Sequence, residues 1–445
     1  MFEHLCAAVD KHREKIFEAE RFIWNHPESG FREKVTSKYM EDKFRELGYE
    51  LTMADGITGF YTVVDTGRPG PEILVFGELD ALSCPTHPNA DPETGVAHAC
   101  GHNAQCAALL GVAAALKEPG ALDGLCGRIR LCAVPAEEGG ELEFRKSLRD
   151  KGVLTHFSGK REFMYRGYFD GVDMAFLVHH LPVDYYSADG KAVGIIVKRA
   201  IFKGLAAHAG ASPHKGRNAL YAATQGLTAI NAIRETFQEK DYVRVHPIIT
   251  EGGGAVNTIP DRVCIETFVR ALTFEALKEA NDKANRALCG AAVSMGCELE
   301  IQDTASSAPM IEDKNLAMIA GEAIKAIKPD ANYIFFDKVD TGSTDLGDVS
   351  CIMPVVHTYI PGVSGRGHGN DYQVSDPETA CVTSAKWQLA MLGILLGNNA
   401  ERAKKVLAEF KPRFESKEEY FAVLDSLSST SSKITYNEDG SITVK

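Results

Sequence analysis

The chain has 445 residues and a formal net charge of −13 at pH 7. This acidic balance argues against nucleic acid or an anionic membrane as a general partner, because both require a basic surface. A small anionic substrate held by one or two local cations is still compatible with it. The length exceeds what one hydrophobic core usually supports, so we expect two domains.

The cysteines and the apolar segments indicate a cytoplasmic protein. The eleven cysteines are odd in number and dispersed, mostly inside apolar runs. Reduced thiols explain this usage better than a disulfide framework does. The first residues show no apolar segment of the signal-peptide type, and the most apolar stretches, such as 387–397, are too short to cross a bilayer.

The first part of the chain alternates between predicted helices and strands. Residues 1–49 have helical periodicity interrupted by a Pro- and Gly-containing loop at 25–31, and 104–117 is an almost uncharged helix. The sequence predicts buried strands at four apolar runs, 60–66, 72–79, 128–134 and 174–180. This order predicts an α/β fold with a mainly parallel central sheet flanked by helices.

The pattern changes near residue 190. Alternating strand residues surround two predicted helices at 218–237 and 274–296, which is typical of a small α+β domain. We therefore expect an inserted domain at 190–308 that interrupts a larger domain formed by 1–189 and 309–400. Residues 401–445 form a C-terminal extension with a charged helix, a Ser-rich spacer at 426–433 and a hairpin at 434–444.

Unusual polar side chains follow several of the predicted strands. They are Asp80, Glu137, Glu138, His179 and His180, together with the "HACGHN" stretch at 98–103 and His368. In open α/β sheets, ligands bind outside the carboxyl ends of the strands, so these side chains should converge. Imidazole, carboxylate and thiolate groups suit Zn²⁺ or a related divalent ion. The combination predicts a two-metal hydrolytic site.

Each of these residues also has a simpler interpretation. A single Cys or His beside an apolar helix is usually a packing residue, and a Glu pair is usually a solvated edge. His179 and His180 cannot both face one site, because successive strand residues point to opposite faces. A cysteine hydrolase with Cys100 as nucleophile and His102 as base is disfavoured, since it leaves the carboxylates unexplained.

Nine sequence motifs between about residues 20 and 395 carry a family resemblance. They are HPESGFRE, TGRPGP, LDAL, HACGHNA, PAEEGG, GLAAHAGASPHKGRNAL, VNTIPD, GSTD and GHGND. The chain resembles the M20 metallopeptidase superfamily, in its amidohydrolase branch. This branch contains aminoacylases, hippurate hydrolases, indole-acetyl-amino-acid hydrolases and aminobenzoyl-glutamate hydrolases.

The resemblance implies roles for individual residues. Glu137 would be the general base that acts on a metal-activated water, and Asp80 would orient an imidazole or that water. His208 of the inserted domain would stabilise the oxyanion in the partner subunit's site. Asn257 and Arg270 would grip the substrate. Two divalent ions, Zn or Mn, would be held by Cys100 as a bridging thiolate, His102, Glu138, His179 and His368.

The implied activity is that of a metal-dependent amidohydrolase on N-acyl or N-aroyl amino acids, such as aminobenzoyl-glutamate. The implied assembly is a homodimer through the inserted domain, with a related second subunit as an alternative. A catalytically retired homologue that acts as a binding or partner subunit stays open, as does a dipeptidase or deacetylase. Three features depart from the family pattern: Glu78 and Asn103, where the family usually has Asp, and the loop at 83–98.

Overall fold

The structure is a computed structural model that describes residues 2–437 and 441–444. It divides into two compact units. The first contains Met1–Lys191, Ile311–Asp340 and Thr344–Lys417; the second contains Ala192–Met310, Thr341–Ser343 and Glu418–Lys445. The segment 401–445, which the sequence analysis sets apart as an extension, therefore divides between the two units.

Strands in the described residues are labelled in chain order. They are β1 Thr52–Met53, β2 Phe60–Asp65, β3 Glu72–Glu78, β4 Leu82–Ser83, β5 Val96–Ala97, β6 Arg128–Val134, β7 Met174–His180, β8 Tyr186–Ala192, β9 Gly194–Lys203, β10 Arg244–Val245, β11 Ile248–Glu251, β12 Arg262–Ala271, β13 Glu298–Ser307, β14 Met310–Ile311, β15 Tyr333–Asp340, β16 Val355–Ile360, β17 Val363–Ser364, β18 Gln373–Val374, β19 Ser429–Tyr436 and β20 Ile442–Val444.

The α-helices are labelled in the same way. They are α1 Phe2–Lys11, α2 Arg13–Trp24, α3 Lys34–Glu46, α4 His102–Leu116, α5 Leu142–Asp150, α6 Gly159–Tyr165, α7 Ala219–Ala232, α8 Phe274–Ser294, α9 Lys314–Ile327, α10 Leu346–Val349, α11 Ser384–Leu396, α12 Glu401–Glu409 and α13 Lys417–Leu427. A π-helical turn, Glu378–Thr383, leads directly into α11.

The first unit is built on a nine-stranded sheet with the order β1-β2-β6-β3-β7-β16-β8-β14, and β15 pairs with β8. The pairs β6–β3, β3–β7 and β7–β16 are parallel, whereas β2–β6 and β16–β8 are antiparallel. Parallel central strands need both faces covered, and every residue of β3 and β16 is buried. The predicted α/β fold with a mainly parallel centre is confirmed.

Helix α4 lies in the largest hydrophobic core. Every one of its residues is buried, because its sequence consists mainly of small and apolar side chains on all faces. The helical stretch Glu378–Leu396 is 19 residues long and apolar enough to cross a membrane by length and composition. The apolar run at 387–397 alone gives no sign of this, because the π-helical turn lengthens the helix at its N-terminal end. In the structure 78% of an 18-residue window of the stretch is buried within the protein, as in a core helix.

The second unit has a seven-stranded antiparallel sheet with the order β10-β12-β9-β13-β19-β20, and β11 pairs with β12. Its outer strands come from the end of the chain, since β19 pairs with β13 and β20 pairs with β19. The predicted Ser-rich spacer is therefore wrong from Ser429 onward. Serine and threonine side chains are tolerated in this strand because all but one of its residues are exposed or half-buried. The turn at 438–440 of the predicted hairpin lies outside the described residues.

Candidate metal centre

The candidate ligands lie where the parallel strands of the first unit end. His179 is near the end of β7, and Glu137 and Glu138 follow β6 after a short turn. Cys100 and His102 flank Gly101 at the start of α4. Gly101 has φ 92, and a Cβ there would lie 2.6 Å from the Tyr372 hydroxyl, so only glycine fits between the two ligands.

Four overlapping groups of side chains bring their ligand atoms within 4.8 Å of one another. The groups are Cys100, His102 and His179; Cys100, Glu138 and His368; His102, Glu137 and Glu138; and Glu78, Glu137 and Asp345. All five ligands implied by the family resemblance lie in these groups. Cys100, His102, Glu137 and Glu138 each belong to two of them, and Cys100 is the one that the family resemblance implies as the ligand shared by two ions.

The hydrogen bonds of His102 define which of its ring nitrogens could bind a metal. Nδ1 lies 2.9 Å from the backbone oxygen of Asp80, which can only accept, so Nδ1 donates. Nε2 then carries the lone pair of the neutral ring, and it has no hydrogen-bond partner among the described residues. It faces the Glu78 carboxylate, with 3.2 Å between Nε2 and Oε2. A lone pair against a carboxylate is repulsive unless a cation lies between them.

The electrostatic surroundings of His102 agree with this requirement. Burial opposes a positive charge on the ring, yet Glu78 and Cys100 hold the pKa of His102 well above its usual value. Without a metal, a proton would supply the cation. In either case the position between His102 and Glu78 demands positive charge, and this fits a divalent ion.

The turn that carries Glu137 and Glu138 is held by two buried carboxylates. Asp80 accepts hydrogen bonds from the backbone N–H of Glu137 at 3.1 Å and of Glu138 at 2.9 Å. Glu33 accepts from the N–H of Ala136 at 2.9 Å, and Ala136 has φ 54. Three successive amides are thus fixed from outside the site, which holds a left-handed residue that would otherwise be strained. The role of Asp80 is therefore wider than orienting an imidazole.

Glu137 is a half-buried carboxyl group in acidic surroundings. Burial and the neighbouring carboxylates of Glu78, Glu138 and Asp345 raise its pKa well above the usual value. One of its oxygens also lies within 4.8 Å of ligand atoms of Glu78 and Asp345. The buried Lys160 is the cation that donates to Glu78 and Asp345. One ammonium cannot balance this many carboxylates, so the chemistry of the donor set also fits divalent ions.

The second ligand group is more exposed. The Nε2 atom of His368 lies 3.3 Å from Glu138 Oε1, and the side chain of His368 is 56% exposed. Contacts with Cys100 and Glu138 raise the pKa of His368 to about 11. Despite burial, His368 lowers the pKa of Glu138. On the other side, the Cys100 Sγ atom lies 3.4 Å from His179 Nε2.

Three neighbours of the ligands are not part of the groups. His180 Nε2 lies 2.8 Å from the backbone oxygen of Ala380, so this ring turns away from the ligand groups. His98 is buried, and burial lowers its pKa to about 3, so it is a neutral packing residue. Asn103 donates to Glu20 Oε1 at 2.8 Å. An aspartate there would face a second carboxylate, which explains the departure from the family pattern.

The remaining predicted residues, His208, Asn257 and Arg270, lie in the second unit. His208 is exposed, and its Nδ1 accepts from the N–H groups of Gly210 at 3.1 Å and Ala211 at 3.0 Å. Its neutral ring therefore carries the proton on Nε2. Asn257 is also exposed. Arg270 Nη1 lies 3.3 Å from the Ser343 hydroxyl, within the same unit.

Sequence reasoning assigned no role to four residues that the structure places beside the ligands. They are Lys160, Asp345, Gln105 and His357. Asp345 is the last residue of the GSTD motif, so that motif could have identified Asp345 as a site residue. His357 stacks on the His179 ring at 5.3 Å between centroids, and it precedes Tyr359 on β16. Lys160 begins a run of three charged residues that resembles an exposed helix surface.

The mainly parallel sheet, the overlapping ligand groups and the adjacent half-buried glutamate define the class of metal-dependent hydrolases. The chain belongs to the peptidase family M20/M25/M40, whose model matches residues 74–392. The resemblance stated from the sequence motifs is thereby confirmed. At the level of the family, so is the prediction of a hydrolase that acts on amide bonds.

Three relatives illustrate the range of the family. The chain is 29% identical to one of the subunits of p-aminobenzoyl-glutamate hydrolase from Escherichia coli K12, over 66% of this chain but only 58% of that protein. It is also 29% identical to Xaa-Arg dipeptidase from Mus musculus, over 82% of this chain and 80% of that protein. A dinuclear metal-binding M20 peptidase from Bacillus subtilis has the same fold, with a TM-score of 0.65 and 20% identity over 87% of this chain and 99% of that chain.

Proposed function

We propose that the protein hydrolyses the amide bond of N-acyl or N-aroyl amino acids, with aminobenzoyl-glutamate-like conjugates as the substrate class. The observation that supports this best is the set of overlapping ligand groups that share Cys100, His102 and Glu138, beside the half-buried Glu137. Two divalent ions, Zn or Mn, would be held by Cys100, His102, Glu138, His179 and His368. When bound, such ions polarise a carbonyl and lower the pKa of water.

Glu137 is the general base in this proposal. Its carboxylate accepts a proton from the attacking water and later gives it to the leaving nitrogen. The raised pKa of Glu137 makes the carboxylate a stronger base than an exposed glutamate. Asp80 accepts from the N–H of Glu137 and Glu33 from that of the preceding Ala136, so the backbone that carries the carboxylate is held in place.

His208 supplies the oxyanion contact. Its Nε2–H is free to donate because Nδ1 already accepts two backbone N–H groups. A neutral donor of this kind stabilises the negative charge that develops on the amide oxygen. We propose that this contact is made to the site of a partner subunit in a homodimer. Asn257 and Arg270 are then the candidates for binding the amino-acid part of the substrate.

Two further properties belong to the proposal. A related second subunit is an alternative to the homodimer, since one relative is a single subunit of a hydrolase. We also propose a reducing compartment, the cytoplasm, because all eleven cysteines are free.

A combined metal and substrate measurement tests the proposed function. The chain is loaded with Mn²⁺ or Zn²⁺, its metal content is measured, and N-acyl amino acids, N-aroyl amino acids and dipeptides are screened for hydrolysis. We expect two ions per chain and turnover of an N-acyl or N-aroyl amino acid. Turnover of dipeptides alone would contradict the substrate class, and fewer than one ion per chain would contradict the metal centre.

The variant Glu137→Gln tests the assignment of the base. We expect the turnover rate to fall by about 10³-fold, within the range for loss of a general base, while the metal content is retained. The exposed Glu46 of α3 gives the matched control, because Glu46→Gln makes the same change at a distant surface. Unchanged turnover in Glu137→Gln would reassign the base to another residue.

A further inference from the structure

Glu78, the last residue of β3, is a buried carboxylate beside the metal centre to which no role has yet been given. Its side chain is 1% exposed, and the family pattern has the shorter aspartate at this position. Its N–H donates to Gln105 Oε1 at 2.5 Å, which fixes the end of the strand. The extra methylene group of a glutamate extends the carboxylate further into the site than an aspartate would.

The hydrogen bonds of Glu78 leave one acceptor position open. Oε1 accepts from the ammonium of Lys160, and Oε2 accepts from Gln105 Nε2 at 3.2 Å. A carboxylate oxygen has two lone pairs, so Oε2 keeps one that is not used by Gln105. This oxygen lies 3.2 Å from His102 Nε2.

The position of His102 determines what can occupy that lone pair. Because Nδ1 donates to the Asp80 backbone oxygen, it is the Nε2 lone pair that faces Glu78, and that lone pair holds a proton in the metal-free protein or a metal ion. Two lone pairs at this separation are stabilised by a shared cation. A spacing of about 3 Å between donor atoms is also normal for two ligands of one ion with bonds of about 2.1 Å.

We propose that Glu78 is a further metal ligand, which shares an ion with His102. The proposal rests on the metal centre of the proposed function and adds a residue to it. Lys160 and Gln105 hold the carboxylate so that only one oxygen is offered. Lys160 thus occupies the position where Glu78 and Asp345 would otherwise attract another cation.

The test compares Glu78→Gln and Glu78→Asp with wild type after loading with Co²⁺. Co²⁺ is used because its visible absorption bands depend on the number and type of ligands. We expect both variants to shift these bands and to lose more than about 100-fold in affinity for one ion, measured by competition with a chelator. That loss exceeds the 10- to 100-fold loss caused by residues that only orient a ligand.

Glu72 gives the matched control. It lies at the opposite end of β3, is 2% exposed, and is paired with the guanidinium groups of Arg128 and Arg130. Glu72→Gln therefore also removes a charge from a buried ion pair on the same strand. We expect it to leave both the Co²⁺ spectrum and the metal affinity unchanged.

The outcomes separate this inference from the proposed function. If Glu78→Gln and wild type have the same Co²⁺ spectrum, Glu78 is not a ligand and the inference is overturned. If wild type binds no ion, the proposed function itself fails. Glu78→Asp keeps the charge beside Lys160, so it carries the test if circular dichroism shows that Glu78→Gln does not fold.

Discussion

Among the described residues each of the two units contains one fully buried lysine, and the two lysines have different surroundings. Lys160 in the first unit donates to the carboxylates of Glu78 and Asp345. Lys198 in the second unit donates to one carboxylate, Asp303, and to the amide oxygen of Asn285. Despite burial, the carboxylates raise the pKa of Lys160, whereas burial outweighs Asp303 and lowers the pKa of Lys198.

The difference separates a structural ion pair, in which the buried charges balance, from a functional site, in which they do not. Around Lys198 the single carboxylate is matched by the ammonium, and Asp303 also accepts from the amide of Asn281 at 2.8 Å. Around Lys160 the carboxylates exceed the cations, because Glu137 lies in the same group as Glu78 and Asp345. An excess of buried negative charge is unfavourable for folding, and it is the property that binds divalent cations.

The largest expected effect on stability is that of Lys160→Met. Removing the ammonium leaves Glu78 and Asp345 buried without their cation, which costs about 3–5 kcal/mol of unfolding free energy. Lys198→Met is the matched comparison in the second unit. We expect it to cost only about 2 kcal/mol, because Asn281 and Asn285 still donate to Asp303.

Urea unfolding of both lysine variants in the metal-free state measures this difference. Equal losses for Lys160→Met and Lys198→Met would contradict the comparison. Such a result would mean that the number of carboxylates around a buried lysine does not determine its contribution.

Asn103→Asp adds a carboxylate without adding a cation and is expected to have the next largest effect. The new side chain would face Glu20 and lose the hydrogen bond from the amide, which costs about 1–3 kcal/mol. The double variant Asn103→Asp with Glu20→Gln restores a donor and should recover most of the loss. A double-mutant cycle measures the coupling. Additive effects would show that Asn103 and Glu20 do not interact.

The site could be predicted from the sequence to the extent that it follows the strands. The apolar runs that became β3, β6 and β7 are unambiguous, and the residues after them carry ligand chemistry. Once these strands are parallel, their carboxyl ends meet. The alternation of adjacent strand residues also predicts that only one of His179 and His180 faces the site, and the family resemblance implies that it is His179.

Lys160 and β19 could not be predicted in the same way. Lys160, Arg161 and Glu162 are all buried, although three successive charges usually indicate a solvated surface. Their partners, such as Asp345 and Asp348, lie almost 190 residues away in the chain. The strand at Ser429–Tyr436 is determined by its pairing with β13 rather than by its own side chains, so its local sequence carries little signal.

Glu312 is a buried carboxyl group that is stabilised by staying protonated, unlike the carboxylates that pair with Lys160 and Lys198. It is 4% exposed, and burial together with Asp189 raises its pKa to about 8 from the ordinary value of 4.5. Between pH 4.5 and 8 the folded state holds a proton that the unfolded state releases. Glu312 therefore lowers the unfolding free energy by about 1.4 kcal/mol for each pH unit as the pH rises through this window.

Glu312→Gln keeps the size and the acceptor for the His357 N–H but cannot lose a proton. We expect the variant to match wild type near pH 4.5 and to become more stable than wild type as the pH approaches 8. Urea unfolding of metal-free protein between about pH 5 and 8 measures the two curves, with Glu46→Gln as the exposed control. Parallel curves would mean that Glu312 is already ionised in the folded state. A cation would then have to compensate it, as Lys160 compensates Glu78.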